Sequence, residues 1–586
     1  MKEYDNFYDW CEDKDTARKA ELLYGHIDNL ELYPGLMAEC TKPPMPGSGV
    51  CPGQTTGRGI LDDAVALVRG DRFLSYDLTS NTLTHWGISK IGTLPSGSYG
   101  GMLPALLFNG LPAAFPGTSA YSLLPFYTPK AAQGILKDNK VLEKYETDRP
   151  PSDRAYVGVH TQEGCKKALE DRDTFRVAYS DAIKDISDGH DFFMGLDEEK
   201  QHSDQRSAME KVFFEDDFES HVRSFFSEAI PELMKHSSLK YPTEKYAIDI
   251  VRDVLNVAPL LWIAERFAVP LKTMEKPKGL FSTAELFDLY MPVYRYQNAN
   301  FLPQDEWYLR DSAEKHAATL RDVFEAHLKT QSGFKEGIVD WMAKGSAFEV
   351  GPEADRIYHA LNESKRSPED LSAEVLGITA PIVGTLTTQA SLLLDLFLSE
   401  GYEGYKARIV ELAQRDDEAS YTELQGFVFE GMRHAGVVAG VARIASKDTT
   451  LQDGSRGTLH IKAHQKVLIA TSKAAMDPVA FPDPEKLDPH RPASAYTLLG
   501  YGLHRCFGSR LIGPALTTTI KEIFKLPNLQ RAPGRPGHFA KLERDFAGVK
   551  VRLYLDADAR ESAVPTTLTV MYGRDVHGGE KRAGMW

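Results

Sequence analysis

From about residue 161 onward, apolar residues recur at helical spacing along most of the chain. The pattern predicts helices over 161–171, 203–236, 243–267, 313–331, 369–400, 420–434 and 508–526, with short strands around 440–470 and 545–556. Before 161 the periodicity is poor. Residues 35–60 are rich in Gly, Pro and Cys and predict irregular loop. Residues 92–130 read the same way, because Gly92, Gly97, Gly110, Pro112 and Pro116 interrupt short apolar pieces. The character of the chain changes after Asp148-Arg149-Pro150-Pro151-Ser152-Asp153. A boundary is therefore expected near 150, with one unit over 1–150 and a mainly α unit with small β-sheets over 151–586.

The most apolar run, Val375 to Leu398, is interrupted by Thr385, Thr387, Thr388 and Gln389, which predicts a buried core helix rather than a bilayer span. The first residues, Met1-Lys2-Glu3-Tyr4-Asp5-Asn6, lack the apolar segment of a signal peptide or anchor. A soluble, cytoplasmic protein without a transmembrane segment is expected, with peripheral lipid contact as the open alternative.

Composition changes this picture in two ways. The 586 residues carry a net charge of −15, which argues against a nucleic-acid or anionic-membrane binder. The five cysteines (Cys11, Cys40, Cys51, Cys165 and Cys506) are too few and too odd in number for a disulfide framework and suit a reducing compartment.

The candidate chemistry lies at Gly500-Tyr501-Gly502-Leu503-His504-Arg505-Cys506-Phe507-Gly508, directly before a predicted helix. Glycines let a backbone turn tightly around a sulfur and approach a flat group closely. A cysteine ahead of a helix N-terminus faces the positive end of the dipole, which favours the thiolate. On its own this could be a buried structural cysteine in a glycine-rich turn. Two upstream elements alter that balance. Glu430-Gly431-Met432-Arg433 places an acid and an arginine on one helix face. Phe481-Pro482-Asp483-Pro484 and Asp488-Pro489-His490-Arg491-Pro492 follow.

In this order, the three elements resemble the cytochrome P450 family: its Glu-x-x-Arg helix, its Pro/Arg meander and its cysteine loop. The resemblance implies the P450 fold and haem b with Cys506 as the axial thiolate. It implies that Glu430, Arg433 and Arg491 form an ion cluster behind the haem, within the cofactor-holding set. It also implies that Arg443, His504 and the pair His202 and Arg206 face the haem propionates, where charge-assisted hydrogen bonds are strong. One departure is Leu499, where the family usually has Phe. In the helix that the family places over the haem, the acid position aligns with Leu386, and Pro381 is expected to bend the helix. Without that acid, proton delivery to bound O₂ is impaired, which favours substrates that already contain an O–O bond. Thr385 and Thr387 are the candidate hydrogen-bond donors to such a substrate, against the alternative of bonding back within their own helix.

The segment Leu22-Leu23-Tyr24-Gly25-His26-Ile27-Asp28-Asn29-Leu30-Glu31-Leu32-Tyr33-Pro34-Gly35 resembles the late part of cyclooxygenase-like haem peroxidase domains. The run Asp62 to Phe73 fits fungal fatty-acid dioxygenases that fuse such a domain to a P450. The resemblance thus implies a C-terminal peroxidase-domain remnant over 1–150 and a whole P450 domain over 151–586. Dioxygenase activity is not expected, because the catalytic residues of that domain would precede residue 1. The activity implied is rearrangement of a fatty-acid hydroperoxide to a diol, allene oxide or epoxy alcohol without NADPH or O₂, in a homo-oligomer like the full-length fusions. The alternatives are a monooxygenase served by a separate reductase and an inactive haem-binding chain. Arg295 and Lys329 are candidate carboxylate anchors.

Overall fold

The computed structural model describes residues 4–40, 53–70, 156–242, 244–272, 279–298, 306–331, 351–546, 549–555 and 561–573. The chain divides into two units, Met1–Pro150 and Pro151–Trp586.

In the first unit, short helices pack around Phe7, Trp10, Ala17 and Ala20. Phe7 and Trp10 meet edge to face at 6.2 Å, while Tyr8 is 47% exposed and donates to Glu21. The irregular loop expected over 35–60 is corrected at its two ends, and 41–52 lie outside the described residues. Leu32–Ala38 and Gln54–Gly70 are helices. Pro34 sits in a first helical turn, where no N–H is needed. The second helix is capped from a distance, since Glu39 accepts both Thr55 N–H and Thr55 Oγ1 at 2.6 Å. The segment 92–130 lies outside the described residues.

The second unit is helical with small sheets, and its helices follow most of the expected periodicity. Its axis is the central helix Pro368–Phe397. Ser367 caps it by accepting the Asp370 N–H, and Pro368 takes a first-turn position. Among the described residues it alone is long and apolar enough to cross a membrane, and 83% of its most apolar window is buried inside the protein. A buried core helix is what its interrupting polar residues predict. Pro381 cannot donate to the carbonyl of Gly377, and Gln297 Nε2 supplies that donor at 3.3 Å. A neighbouring helix thereby removes much of the cost of an internal proline.

Two helix expectations are corrected. The run 203–236 is two helices, Glu199–Phe213 and Phe218–Ser237. The run 243–267 starts as a strand, Lys245–Asp249, and turns helical through a π-helical turn, Val251–Leu255, into Ala258–Arg266. That strand pairs antiparallel with Thr569–Gly573, so Tyr246 stacks on Tyr572 at 5.1 Å. Its partner lies more than 300 residues away, and no local pattern could announce it.

A second sheet positions the chemistry. Its strand order is Val157–Val159, Lys466–Ile469, Val441–Ala445 and Phe175–Val177, the first pair parallel and the others antiparallel. This register sets Arg443 beside Val177 and Val467.

Candidate functional site

The cysteine loop is built on two left-handed glycines, Gly500 at φ +77° and Gly502 at φ +69°, a conformation that side chains strain. The loop closes through the Cys506 N–H, which donates to Leu499 O at 2.7 Å. Arg206 grips it from outside by donating to Arg505 O at 2.6 Å. Phe507 packs against Phe193, Phe213 and Phe214 with ring centroids 4.9–5.7 Å apart. Cys506 is half-buried at the foot of this loop. Burial pushes the thiol up, opposed by the Gly508 N–H, Arg206 and Arg505. Desolvation thus opposes the dipole in the chain by itself, and an iron bound at the sulfur would favour the thiolate.

The structure gathers His202, Arg206, Arg443 and His504 beside this loop. The two imidazoles meet edge to face at 4.8 Å. Burial, then the charges of His504 and Arg206, holds His202 down to about 4. Burial likewise lowers His504, against the pull of Asp197, whose Oδ1 lies 3.4 Å from His504 Nε2 without hydrogen-bond alignment. His202 Nδ1 and His504 Nε2 are buried without a hydrogen-bond partner. Arg443 is buried, donates to Ala442 O at 2.9 Å and lies 5.9 Å from the Tyr179 ring. Orphaned nitrogens and a buried guanidinium next to a sulfur make a donor set for an anionic, metal-bearing group. A haem fits: Cys506 would hold the iron, and His202, His504, Arg443 and Arg206 would face its propionates.

Glu430, Arg433 and Arg491 sit together but have little left to offer a ligand. Both oxygens of Glu430 receive Arg433 at 2.7 and 2.9 Å. They also accept the Asp488 N–H at 2.9 Å, Tyr496 OH at 2.8 Å and Arg491 Nε at 3.4 Å. Arg433 donates to the carbonyls of Pro484 and Lys486 as well, and Arg491 to that of Pro482. Burial alone would raise Glu430, but these donors hold it below the usual carboxylate range. Their inclusion in the cofactor-holding set is corrected, because their polar atoms are consumed inside the protein. They lock the meander to the Glu418–His434 helix.

On the central helix, Leu386 and Ala390 pack against Phe226, Ala515 and Leu516. The position aligned with the family's acid is thus a core contact to the helix Ser509–Phe524 that follows Cys506. Thr387 Oγ1 donates to Leu255 O at 3.1 Å and is fully buried. Its hydroxyl proton is spent on a carbonyl of another element, so its candidacy as a substrate donor is corrected. Thr385 is half-buried, and its hydroxyl meets that of Tyr294. Thr385, Thr388 and Leu392 share one helix face. Thr388 and Leu392, with Tyr294, border a cavity of about 120 Å³ toward the strand Val549–Leu555. Tyr294 lies flat on Gly384, where an added Cβ would stand 2.3 Å from the ring. Sequence reasoning passed over Tyr294 and Gln389. Gln389 is buried and ties the central helix to the next loop, donating to Ala435 O and accepting the Val437 N–H, both at 3.0 Å.

Residues 411–511 match the family model "Cytochrome P450", a span that holds Glu430, Arg433, Arg443, Arg491 and Cys506. The chain carries a cytochrome P450 domain. Its P450 fold is also that of solved structures with low sequence identity. One is CYP109E1 from Bacillus megaterium in complex with testosterone, at TM-score 0.50, 18% identity, 73% of this chain and 97% of that one. Another is the Tepidiphilus thermophilus P450 haem domain, at TM-score 0.51, 15% identity, 74% of this chain and 93% of that one. The P450 family implies haem with a cysteine thiolate ligand.

The relatives by sequence are fungal fusion enzymes. A bifunctional dioxygenase–epoxy alcohol synthase of Fusarium oxysporum is 30% identical over 93% of this chain and 43% of its own length. Psi-producing oxygenase A of Emericella nidulans is 31% identical over 92% of this chain and 50% of its own. The 7,8-linoleate diol synthase of Pyricularia oryzae is 27% identical over 97% of this chain and 56% of its own. The chain is homologous to these proteins and spans about half their length.

Proposed function

We propose that the chain rearranges polyunsaturated fatty-acid hydroperoxides, with the P450 domain as the working unit and residues 1–150 as a segment related to the late part of a peroxidase-like dioxygenase domain. The observation that carries the reading is that the central helix offers no acid where the family keeps one. Among the described residues, no Asp or Glu lines the cavity beside Thr388 and Leu392. The position where the family keeps its acid is Leu386, turned into the core. A site without a carboxylic acid to relay protons suits a substrate whose O–O bond is already formed. Homology to enzymes named dioxygenase–epoxy alcohol synthase and linoleate diol synthase supports fatty acids as the substrate class.

A bound haem supplies the one-electron chemistry that breaks an O–O bond homolytically. The protein's own residues do the rest. Cys506 would hold the iron, and the rings packed on Phe507 shield the loop from water. Tyr294 orients the Thr385 hydroxyl, which donates a hydrogen bond to the oxygen left on the fatty chain. Isomerisation to a diol or an epoxy alcohol keeps every atom of the hydroperoxide, and an allene oxide forms by loss of one water. Neither route needs NADPH or O₂.

The test is direct. Haem-loaded chain is mixed with the 8-, 9- and 10-hydroperoxides of C18 acids in the absence of reductant, with Cys506→Ser as the control. Consumption that depends on Cys506, with products identified by mass spectrometry, is expected. Hydroperoxides left intact by haem-loaded protein would refute the reading and direct attention to NADPH-supported oxidation with a reductase.

A further inference from the structure

The cations expected from sequence to anchor a ligand carboxylate are engaged. Lys329 pairs with Glu325 at 2.8 Å and Glu369 at 3.2 Å, and Arg295 interacts within the protein. Unspent donors lie beside the cysteine loop instead, and one of them, Tyr179, belongs to none of the sequence motifs. The sheet places it. Val177 lies opposite Arg443 in the pairing of Phe175–Val177 with Val441–Ala445. Two residues on, Tyr179 leads into the helix Ser180–Ile186 without capping it by its side chain. Its ring stands 5.9 Å from the Arg443 guanidinium, and its hydroxyl is within hydrogen-bond reach of that group. An arginine has only protons to give, so the phenol oxygen accepts and keeps its own proton. Among the described residues, no acceptor takes that proton.

Burial raises the phenol, Arg443 opposes the rise, and the charges of Asp197 and Cys506 add to it. The hydroxyl is therefore a neutral donor that lies within reach of the charges at the cysteine site. Asp197, the acid nearest at hand, does not take its proton. That carboxylate accepts the Val177 N–H at 3.2 and 3.3 Å and faces His504 Nε2 at 3.4 Å. The cations of the site are partly committed. Arg206 donates to Glu210 at 2.8 Å and to Arg505 O at 2.6 Å, and Arg443 to Ala442 O at 2.9 Å. A phenol that accepts from a guanidinium becomes a stronger donor itself. Its fitting partner is an anionic oxygen, to which an O–H bond is short and strong.

We propose that the Tyr179 hydroxyl donates a hydrogen bond to a haem propionate, as a cofactor-binding residue beside Arg443. The assignment rests on the haem reading of the site. It adds a donor from the strand–helix junction to those supplied by Val441–Ala445, Glu199–Phe213 and the cysteine loop.

The experiment uses the full chain loaded either with haem or with haem dimethyl ester, in which both propionates are blocked. Release of each to an excess of haem-free myoglobin is followed by absorption in the Soret region. Tyr179→Phe keeps the ring on Arg443 and removes only the hydroxyl. It is expected to speed haem release by about 10- to 100-fold, the range of one hydrogen bond to a charged group, and to leave ester release unchanged. Tyr179→Gln, which keeps a donor, should restore part of the difference. Equal haem release by wild type and Tyr179→Phe overturns the proposal. Equal acceleration of haem and ester also overturns it, because that result marks lost packing. If Tyr179→Phe fails to fold, Tyr179→Met takes its place under the same two criteria. A wild-type chain that takes up no haem sinks the haem reading itself, whereas a haem-loaded wild type indifferent to Tyr179→Phe sinks only this assignment.

Discussion

Replacing Arg433 with Met should produce a loss of stability that depends on pH. Glu430 and Arg433 are both fully buried, and the pair is bidentate at 2.7 and 2.9 Å. Without Arg433, a buried carboxylate keeps only the Asp488 N–H, Tyr496 OH and the longer contact to Arg491. The carbonyls of Pro484 and Lys486 also lose their donor. Breaking one side of a buried ion pair costs about 3–5 kcal/mol. With an unfolding entropy of about 2.1 cal/mol/K per residue over the unit Pro151–Trp586, 1 kcal/mol corresponds to about 1 °C, so Tm should fall by roughly 3–5 °C. In the wild type, Glu430 is held below its unfolded value, so its contribution is present above that value and lost as pH falls through the folded one. In the variant, burial dominates and raises Glu430. The protonated form is then tolerated, and stability is lost as pH rises instead. The Tm deficit should therefore be largest near pH 7.5 and shrink toward pH 5. Scanning calorimetry of both proteins at fixed scan rate across that interval measures it. A deficit below about 1 °C, or one that does not change with pH, would refute the account of this cluster as a charge lock.

Three further outcomes are expected. Gly384→Ala drives a methyl into the Tyr294 ring, whose atoms would stand 2.3 Å from it, and should cost about 1–3 kcal/mol in chemical unfolding while changing the product ratio, since Tyr294 also holds Thr385. Gln389→Leu orphans Ala435 O and the Val437 N–H, each worth about 1–3 kcal/mol when buried, and hydrogen exchange at Val437 should accelerate. His202 is kept neutral when folded, at about 4 against an unfolded value near 6.5, so the haem-free chain should lose stability as pH falls through that window. His202→Phe should flatten that part of the pH profile, and an unchanged slope in urea titrations would show that the ring does not titrate as argued.

The cysteine loop, the Glu-x-x-Arg helix and the meander were legible because each is a contiguous motif whose chemistry depends on local backbone. The long central helix was legible for a similar reason: its apolar run and capping residues are read within one segment. The helical reading failed at Lys245–Asp249, whose structure is decided by pairing with Thr569–Gly573. It failed at Gln54–Gly70 because the cap is contributed by Glu39 from another helix. The candidate pair of threonines shows the same limit at atomic scale. Thr385 and Thr387 are two residues apart, but a helix turns about 200° over that interval. One hydroxyl therefore meets Tyr294 and the other meets Leu255.

What the amino-acid sequence determined by itself was the presence of a thiolate-type loop, its order with respect to the acid–arginine helix, and the P450 fold that these imply. Those are properties of short segments, where residue type and spacing suffice. Only the tertiary structure decided which polar groups remain available. Burial turned Glu430, Arg433 and Arg491 into a closed network and left His202 Nδ1 and His504 Nε2 without hydrogen-bond partners among the described residues. Availability depends on which distant segments fold against a side chain, and desolvation makes each unpaired group costly enough to point to a ligand.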